Sequence, residues 1–205
     1  MNETELKCLL MDFLLEKYPD CQFIGSEIPY MSRKRWVDAL LITKENDLIA
    51  FEIKSDIDTL SRLAGQIDDA ITTFNELYVV TSARYKNKNI VSLLPKNVGY
   101  LYIEKNQQKV VKKGKYIKRL SKENLTRFLW KSDLEKYCKG NGPNLETMRK
   151  VFIKTFSTIE IKNIVVEVLI SRYKSRFDMF KQNKGKNKTI YEDLDYLTKS
   201  FDFRF

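Results

Sequence analysis

The sequence predicts an α/β fold: a mixed central sheet flanked by helices, followed by a basic, mainly helical C-terminal region. Three observations predict it. Two short apolar runs, Arg35–Ile42 and Leu48–Lys54, are separated by the turn residues Lys44-Glu-Asn-Asp47, the pattern of a hairpin. A third run, Leu77–Thr81, lies one amphipathic helix further on, and a strand–helix–strand connection of that length implies parallel pairing with a right-handed crossover. From Ser121 the apolar spacing turns helical, and the charge changes nearby: residues 1–112 hold 15 Lys and Arg against 16 Asp and Glu, whereas residues 113–205 hold 22 against 11. The expected division is therefore a core over 1–112 and a basic helical region over 113–205.

Each element has its own signal. Thr4–Tyr18 reads as a helix because Leu6, Leu9, Leu10, Phe13, Leu14 and Tyr18 recur at helical spacing, with Thr4 as the expected cap. After a turn at Pro19–Cys21, Gln22–Tyr30 reads as a first strand. The basic loop Arg33-Lys34-Arg35 leads into the Asp38 strand. Asp56–Phe74 reads as a helix with Leu60, Leu63, Ile67, Ile71 and Phe74 on one stripe and Asp58 or Thr59 as cap. Lys86–Pro95 reads as a basic helical connector, Val98–Ile103 as a strand, and Lys109–Lys118 as a Lys-rich edge hairpin. Helices are then expected from Ser121 through Leu129, over Leu134–Tyr137, after Asn144, and after Ser157 or Thr158. Lys181–Lys188 reads as a polar, basic linker, and the last seventeen residues are aromatic enough to dock.

Composition narrows the chemistry. The 43% apolar content supports a packed core. The three cysteines, Cys8, Cys21 and Cys138, stand far apart without a CxxC, and the first residues are acidic, the wrong charge for a signal peptide. A cytoplasmic protein with free thiols is expected, and no apolar run is long enough to span a membrane. The chain has no histidine, which removes Ser-His-Asp and Cys-His catalysis and His-ligated zinc together, and it has no GxxxxGK[ST] phosphate loop. Hydrolytic chemistry would have to run on carboxylates, lysine and an oxygen-bound metal.

The strand Leu48–Lys54 carries that chemistry. Glu52 and Lys54 are two apart, so both leave the same face of a strand that is otherwise apolar. Paired as a hairpin, the preceding strand brings Asp38 near them. Two converging carboxylates suit a hard cation, Mg²⁺ or Mn²⁺, and an adjacent lysine suits charge developing on a phosphate. A structural ion pair is the alternative use of the same residues. Glu27 is a further candidate ligand if its strand pairs with that of Asp38; otherwise it faces solvent. Arg33, Lys34 and Arg35 are placed to hold a phosphate beside the metal, or form a solvated turn. The basic second half favours a polyanionic partner.

Asp38, then Glu52-Ile-Lys54 on the next strand, then a helix with Gln66, resembles the PD-(D/E)XK nuclease superfamily. The continuation Asp58-Thr-Leu-Ser-Arg62-Leu-x-x-Gln66 and the later Phe128-Leu-Trp-Lys-Ser-Asp-Leu resemble the bacterial and phage sce7726 group within it; Ala70 stands where many relatives carry an aromatic. The resemblance implies a restriction-endonuclease-like core, with Asp38 and Glu52 as metal ligands and Lys54 positioning the attacking water. Gln66 would face the cleft, with Arg62 beside it on the nucleic-acid side, or the two form an ordinary helix-surface pair. It also implies a first-helix glutamate near the metal, for which Glu5 is the candidate; complementing the helix dipole is the alternative. The expected function is metal-dependent phosphodiester hydrolysis, in DNA first, with RNA open. The competing expectation is a catalytically silent nuclease-like module that binds nucleic acid or a protein. A protein partner or a homodimer stays open.

Overall fold

The computed structural model describes residues 1–58, 63–82, 85, 90–105, 107–138 and 144–198. Helix α1 (Glu3–Lys17) is followed by β1 (Phe23–Tyr30), β2 (Arg35–Ile42) and β3 (Leu48–Lys54). After α2 (Leu63–Ile71) come β4 (Glu76–Thr81), the short α3 (Ile90–Leu93), β5 (Gly99–Glu104) and β6 (Gln107–Lys112). The remaining elements are helices: α4 (Lys122–Thr126), α5 (Lys131–Cys138), α6 (Leu145–Thr155), α7 (Thr158–Lys184) and α8 (Tyr191–Thr198).

The strands form one six-stranded sheet in sequential order. β1, β2 and β3 are antiparallel neighbours; β4 and β5 join parallel through crossovers; β6 closes the far edge antiparallel to β5. All seven side chains of β3 are buried, as befits a strand covered on both faces. α1 and α2 lie on opposite faces. Lys17 of α1 sits over Tyr78, which stacks on Phe51, whereas Gln66 of α2 bonds Glu52, the next residue along β3. No described helix is long and apolar enough to cross a membrane.

The C-terminal helices share the core of the sheet. Phe23 on β1 stacks on Tyr173 of α7 at 5.8 Å and meets Phe177 edge-on at 6.2 Å. α8 packs on β1, α1 and α7, and Leu194 and Leu197 are buried there. The Thr189 backbone N–H and hydroxyl both donate to Asp12 on α1.

Several elements differ from the sequence expectation at their ends. Asn2, not Thr4, caps α1, because its side chain accepts from the Glu5 N–H while Glu5 accepts from Asn2 N in a capping box. The segment expected to open the second helix turns first: the Asp58 carboxylate accepts from both Ser55 N and Ser55 Oγ. Thr59, the other expected cap, lies outside the described residues, as do 86–89 of the expected connector. The expected linker over 181–188 is helical as far as Lys184, because Phe177 and Phe180 are buried on the last turns and Lys184 reaches Asp12 at 3.3 Å.

Candidate functional site

The β2–β3 ladder runs from Ile42↔Leu48 to Ala39↔Phe51 and ends there. The next positions along the two strands are Asp38 and Glu52. In place of a further backbone bond, the Asp38 carboxylate accepts from Ile53 N at 2.7 Å through Oδ2. Glu52 is 7% exposed and Lys54 8%, and Lys54 Nζ donates to Glu52 Oε1 at 2.9 Å. From α2, Gln66 Nε2 donates to the same Glu52 oxygen. The amide's other end, Oε1, is buried and has no hydrogen-bond partner among the described residues. The structure thus brings together Asp38, Glu52, Lys54 and Gln66.

Burial and repulsion set the electrostatics. Loss of hydration, and then the neighbouring Glu52 carboxylate, push the Asp38 carboxyl up to about 7. Burial raises Glu52 as well, with Lys54 opposing it. The contribution that α1 makes was expected from Glu5 and comes instead from Lys7. Lys7 is 5% exposed and bonds Glu3 at 2.8 Å and Glu27 at 2.9 Å. Burial on its own lowers the Lys7 ammonium, but the bonds to both carboxylates outweigh it and the net shift is upward. Lys7 in turn draws Asp38 back toward ionisation. The signal was present in the sequence: Lys7 is one charge on the buried stripe of Leu6, Leu10, Met11 and Leu14.

Other expected site residues go elsewhere. Among the described residues no three acidic or cysteine side chains converge on a common point. Glu5 is therefore not brought to the Asp38–Glu52 pair; its carboxylate is taken by the capping box. Glu27 is not brought there either: it adopts a left-handed φ of 53° within β1 and its carboxylate turns to Lys7. The basic loop splits. Arg33 lies over the Trp130 ring, Arg35 Nε pairs with Asp69 on α2 at 2.7 Å, and Lys34 is exposed. Arg62 lies outside the described residues.

The donor set fits a hard divalent cation held through oxygen. Mg²⁺ takes one or two protein carboxylates and keeps several waters, so Asp38 and Glu52 suffice without a third. Two carboxyls whose ionisation is resisted mainly by burial stand beside an amide oxygen that has no donor among the described residues.

A family model described as Bacteriophage P4 protein cII matches residues 1–198. Protein cII of Enterobacteria phage P4 is 26% identical over 212 residues, covering 98% of this chain and 79% of the phage protein. Among solved structures, the "SPO1766 protein of unknown function from Silicibacter pomeroyi" aligns with a TM-score of 0.45 at 14% identity, over 80% of this chain and 90% of that one.

Proposed function

The chain belongs to the Bacteriophage P4 protein cII family, and within that family we propose that it is a metal-dependent nuclease of the PD-(D/E)XK kind, acting on DNA. The observation that supports this best is the Asp38–Glu52 pair at the end of a ladder. A structural ion pair needs one carboxylate per cation, and Lys54 already answers Glu52. Among the described residues Asp38 has no cation bonded to it, only the Ile53 N–H. Lys7 acts on it at longer range and is itself bonded to Glu3 and Glu27. With Glu52 beside it, the ionised Asp38 costs stability unless a cation joins it.

Mg²⁺ or Mn²⁺ held by Asp38 and Glu52 would polarise a phosphoryl oxygen and lower the pKa of a bound water. The chain's own groups do the rest. Ile53 N fixes one Asp38 oxygen, which orients the carboxylate. The Lys54 ammonium, bonded to Glu52, would stabilise charge developing on the phosphate. Gln66 Oε1 is free to accept a hydrogen bond from the attacking water and so to align it. The basic excess over residues 113–205 supports a polyanionic substrate.

Supercoiled, linear and single-stranded DNA and RNA, incubated with each metal, test the reading. Lys54→Met should lower cleavage by about a hundredfold or more and leave DNA binding within a few-fold of the parent. Near-parental cleavage by Lys54→Met would remove Lys54 from the mechanism. Binding without cleavage, by the parent on every substrate, would instead favour a module that grips nucleic acid and does not cut.

A further inference from the structure

The turn joining β1 to β2, together with α4–α7, lines a cavity of about 230 Å³. Among the described residues, every charged one lining it is a cation: Arg33, Arg127, Lys131, Arg149 and Arg172. Carboxylates answer some of them. Arg172 pairs with Asp133, Arg149 with Glu146, and Lys131 with Glu135 at 3.7 Å. Arg33 and Arg127 have no carboxylate partner among the described residues.

Trp130 organises the cavity. Arg172 lies 3.7 Å from its ring centre and Arg33 4.8 Å. Stacking uses the flat face of a guanidinium and leaves its N–H edge free to donate. The Arg172 edge is occupied by the Phe128 carbonyl at 3.1 Å and by Asp133. The Arg33 edge donates to nothing among the described residues.

Two buried polar atoms point the same way. Arg149 is 5% exposed, yet its Nε has no hydrogen-bond partner among the described residues, and neither has the buried hydroxyl of Ser32, which also lines the cavity. An unanswered buried donor is costly, so both call for an acceptor from outside the chain. The backbone carries the same message: Met31, Ser32 and Arg33 hold left-handed φ values of 49°, 59° and 64°, and Ser32 N is tied to the Arg127 carbonyl at 3.1 Å. Such strain in non-glycine residues gathers at ligand sites, where the surrounding structure holds it in place.

We propose that this cavity binds a phosphate group carried by a nucleotide, at a site separate from Asp38 and Glu52. A phosphate offers several acceptor oxygens to guanidinium edges, a hydroxyl and an ammonium at once. The volume is below the roughly 300–1,000 Å³ of pockets that enclose drug-sized ligands, so it admits a phosphate and part of a sugar. Binding here does not depend on cleavage at the first site; a protein that never cuts would still show it.

The chain has two tryptophans, Trp36 and Trp130, and Trp36 is 53% exposed. In a Trp36→Phe background, emission therefore reports on Trp130 alone. At constant ionic strength the protein is titrated with sodium phosphate, a mononucleotide, and a 5′-phosphorylated dinucleotide beside its unphosphorylated counterpart. Equilibrium dialysis with radiolabelled dinucleotide follows the same binding without relying on emission. We expect saturable binding that requires the phosphate, and a rise of about tenfold in half-saturation for Arg33→Gln and for Arg127→Gln, the loss of one charge-assisted hydrogen bond. Both residues are at least partly exposed and lack a carboxylate partner, so melting temperatures should hold. Tighter binding of the dinucleotide than the mononucleotide identifies a strand as the source of the phosphate; equal binding identifies a free nucleotide. No binding of any phosphate compound by either method, or affinity unchanged in the Arg33→Gln, Arg127→Gln double variant, would overturn the proposal, as would capture of an acidic peptide in preference to phosphate.

Discussion

Enclosing an aspartate removes the hydration that makes its ionisation cheap, and a second carboxylate beside it adds to the cost. For Asp38 both act, and its carboxyl rises from the ordinary 3.8 to about 7. The folded protein then holds a proton that the unfolded chain releases between those two values. The associated stability is complete below about 3.8 and is lost as pH rises through 7, by something on the order of 4 kcal/mol. Asp38→Asn keeps the acceptor for Ile53 N and removes the charge. Without metal at pH 8 it should therefore melt roughly 8–16 °C above the parent, with the gap closing toward pH 5. Mg²⁺ should raise the parent's melting temperature at pH 8 and leave the variant unmoved; equal melting of the two proteins at pH 8 without metal would refute the electrostatic account. Lys7 belongs to the same balance. Lys7→Met removes the cation that favours Asp38 ionisation, so Mg²⁺ affinity at pH 7 should fall and its pH dependence should move upward, as titration calorimetry at several pH values would show. Asp38, Glu52 and Lys54 were legible in the sequence because strand period and hairpin register place them together. Glu5 and Glu27 were not, because a carboxylate follows its nearest partner, and those partners, the Asn2 amide and Lys7, follow from cap geometry and helix packing.

Where two elements approach closely, a single methyl group can decide the packing. A Cβ on Gly99 would meet the Tyr78 ring at 2.4 Å and the Gly114 backbone nitrogen at 2.7 Å. The ring alone could be moved by rotation, but the backbone nitrogen lies in the segment that follows β6 and cannot give way by turning a side chain. Gly99→Ala should cost about 1–3 kcal/mol, read as a lower urea midpoint with an unchanged m-value; parental stability would mean that β5 and the 113–118 segment separate easily. Element identity was largely legible from apolar periodicity, whereas element ends were not. α7 shows why. Its last residues, Lys181-Gln-Asn-Lys184, are polar enough to resemble a linker, but helix propensity tolerates Lys and Gln, and Phe177 and Phe180 anchor the turns beneath them. At the β1–β2 turn three successive left-handed residues, none of them glycine, gave no sequence signal, because the turn is held by α4 through Ser32 N and the Arg127 carbonyl.

Across the whole molecule, charge and packing divide the chain differently. The positive excess lies entirely in residues 113–205, yet α7 and α8 are built into the core around Phe23 and Asp12. Removing that region would strip cover from β1, so the electrostatic role of the basic half is better tested by neutralising exposed lysines in place. Lys150 and Lys154 on α6 are exposed, are four residues apart on one helical face, and have no carboxylate partner among the described residues. Neither is needed for the fold, so Lys150→Gln with Lys154→Gln should leave the melting temperature near the parent's. If both touch phosphates, each lost contact reduces the slope of log affinity against log salt by roughly 0.9 on duplex DNA or 0.7 on a single strand. The double variant should therefore bind DNA with a slope shallower by between one and two charges, while Lys54→Met, which acts at the first site, should leave the slope unchanged. A folded double variant with the parental slope would place the phosphate path off α6, and the cations around Trp130 would then be the next surface to neutralise.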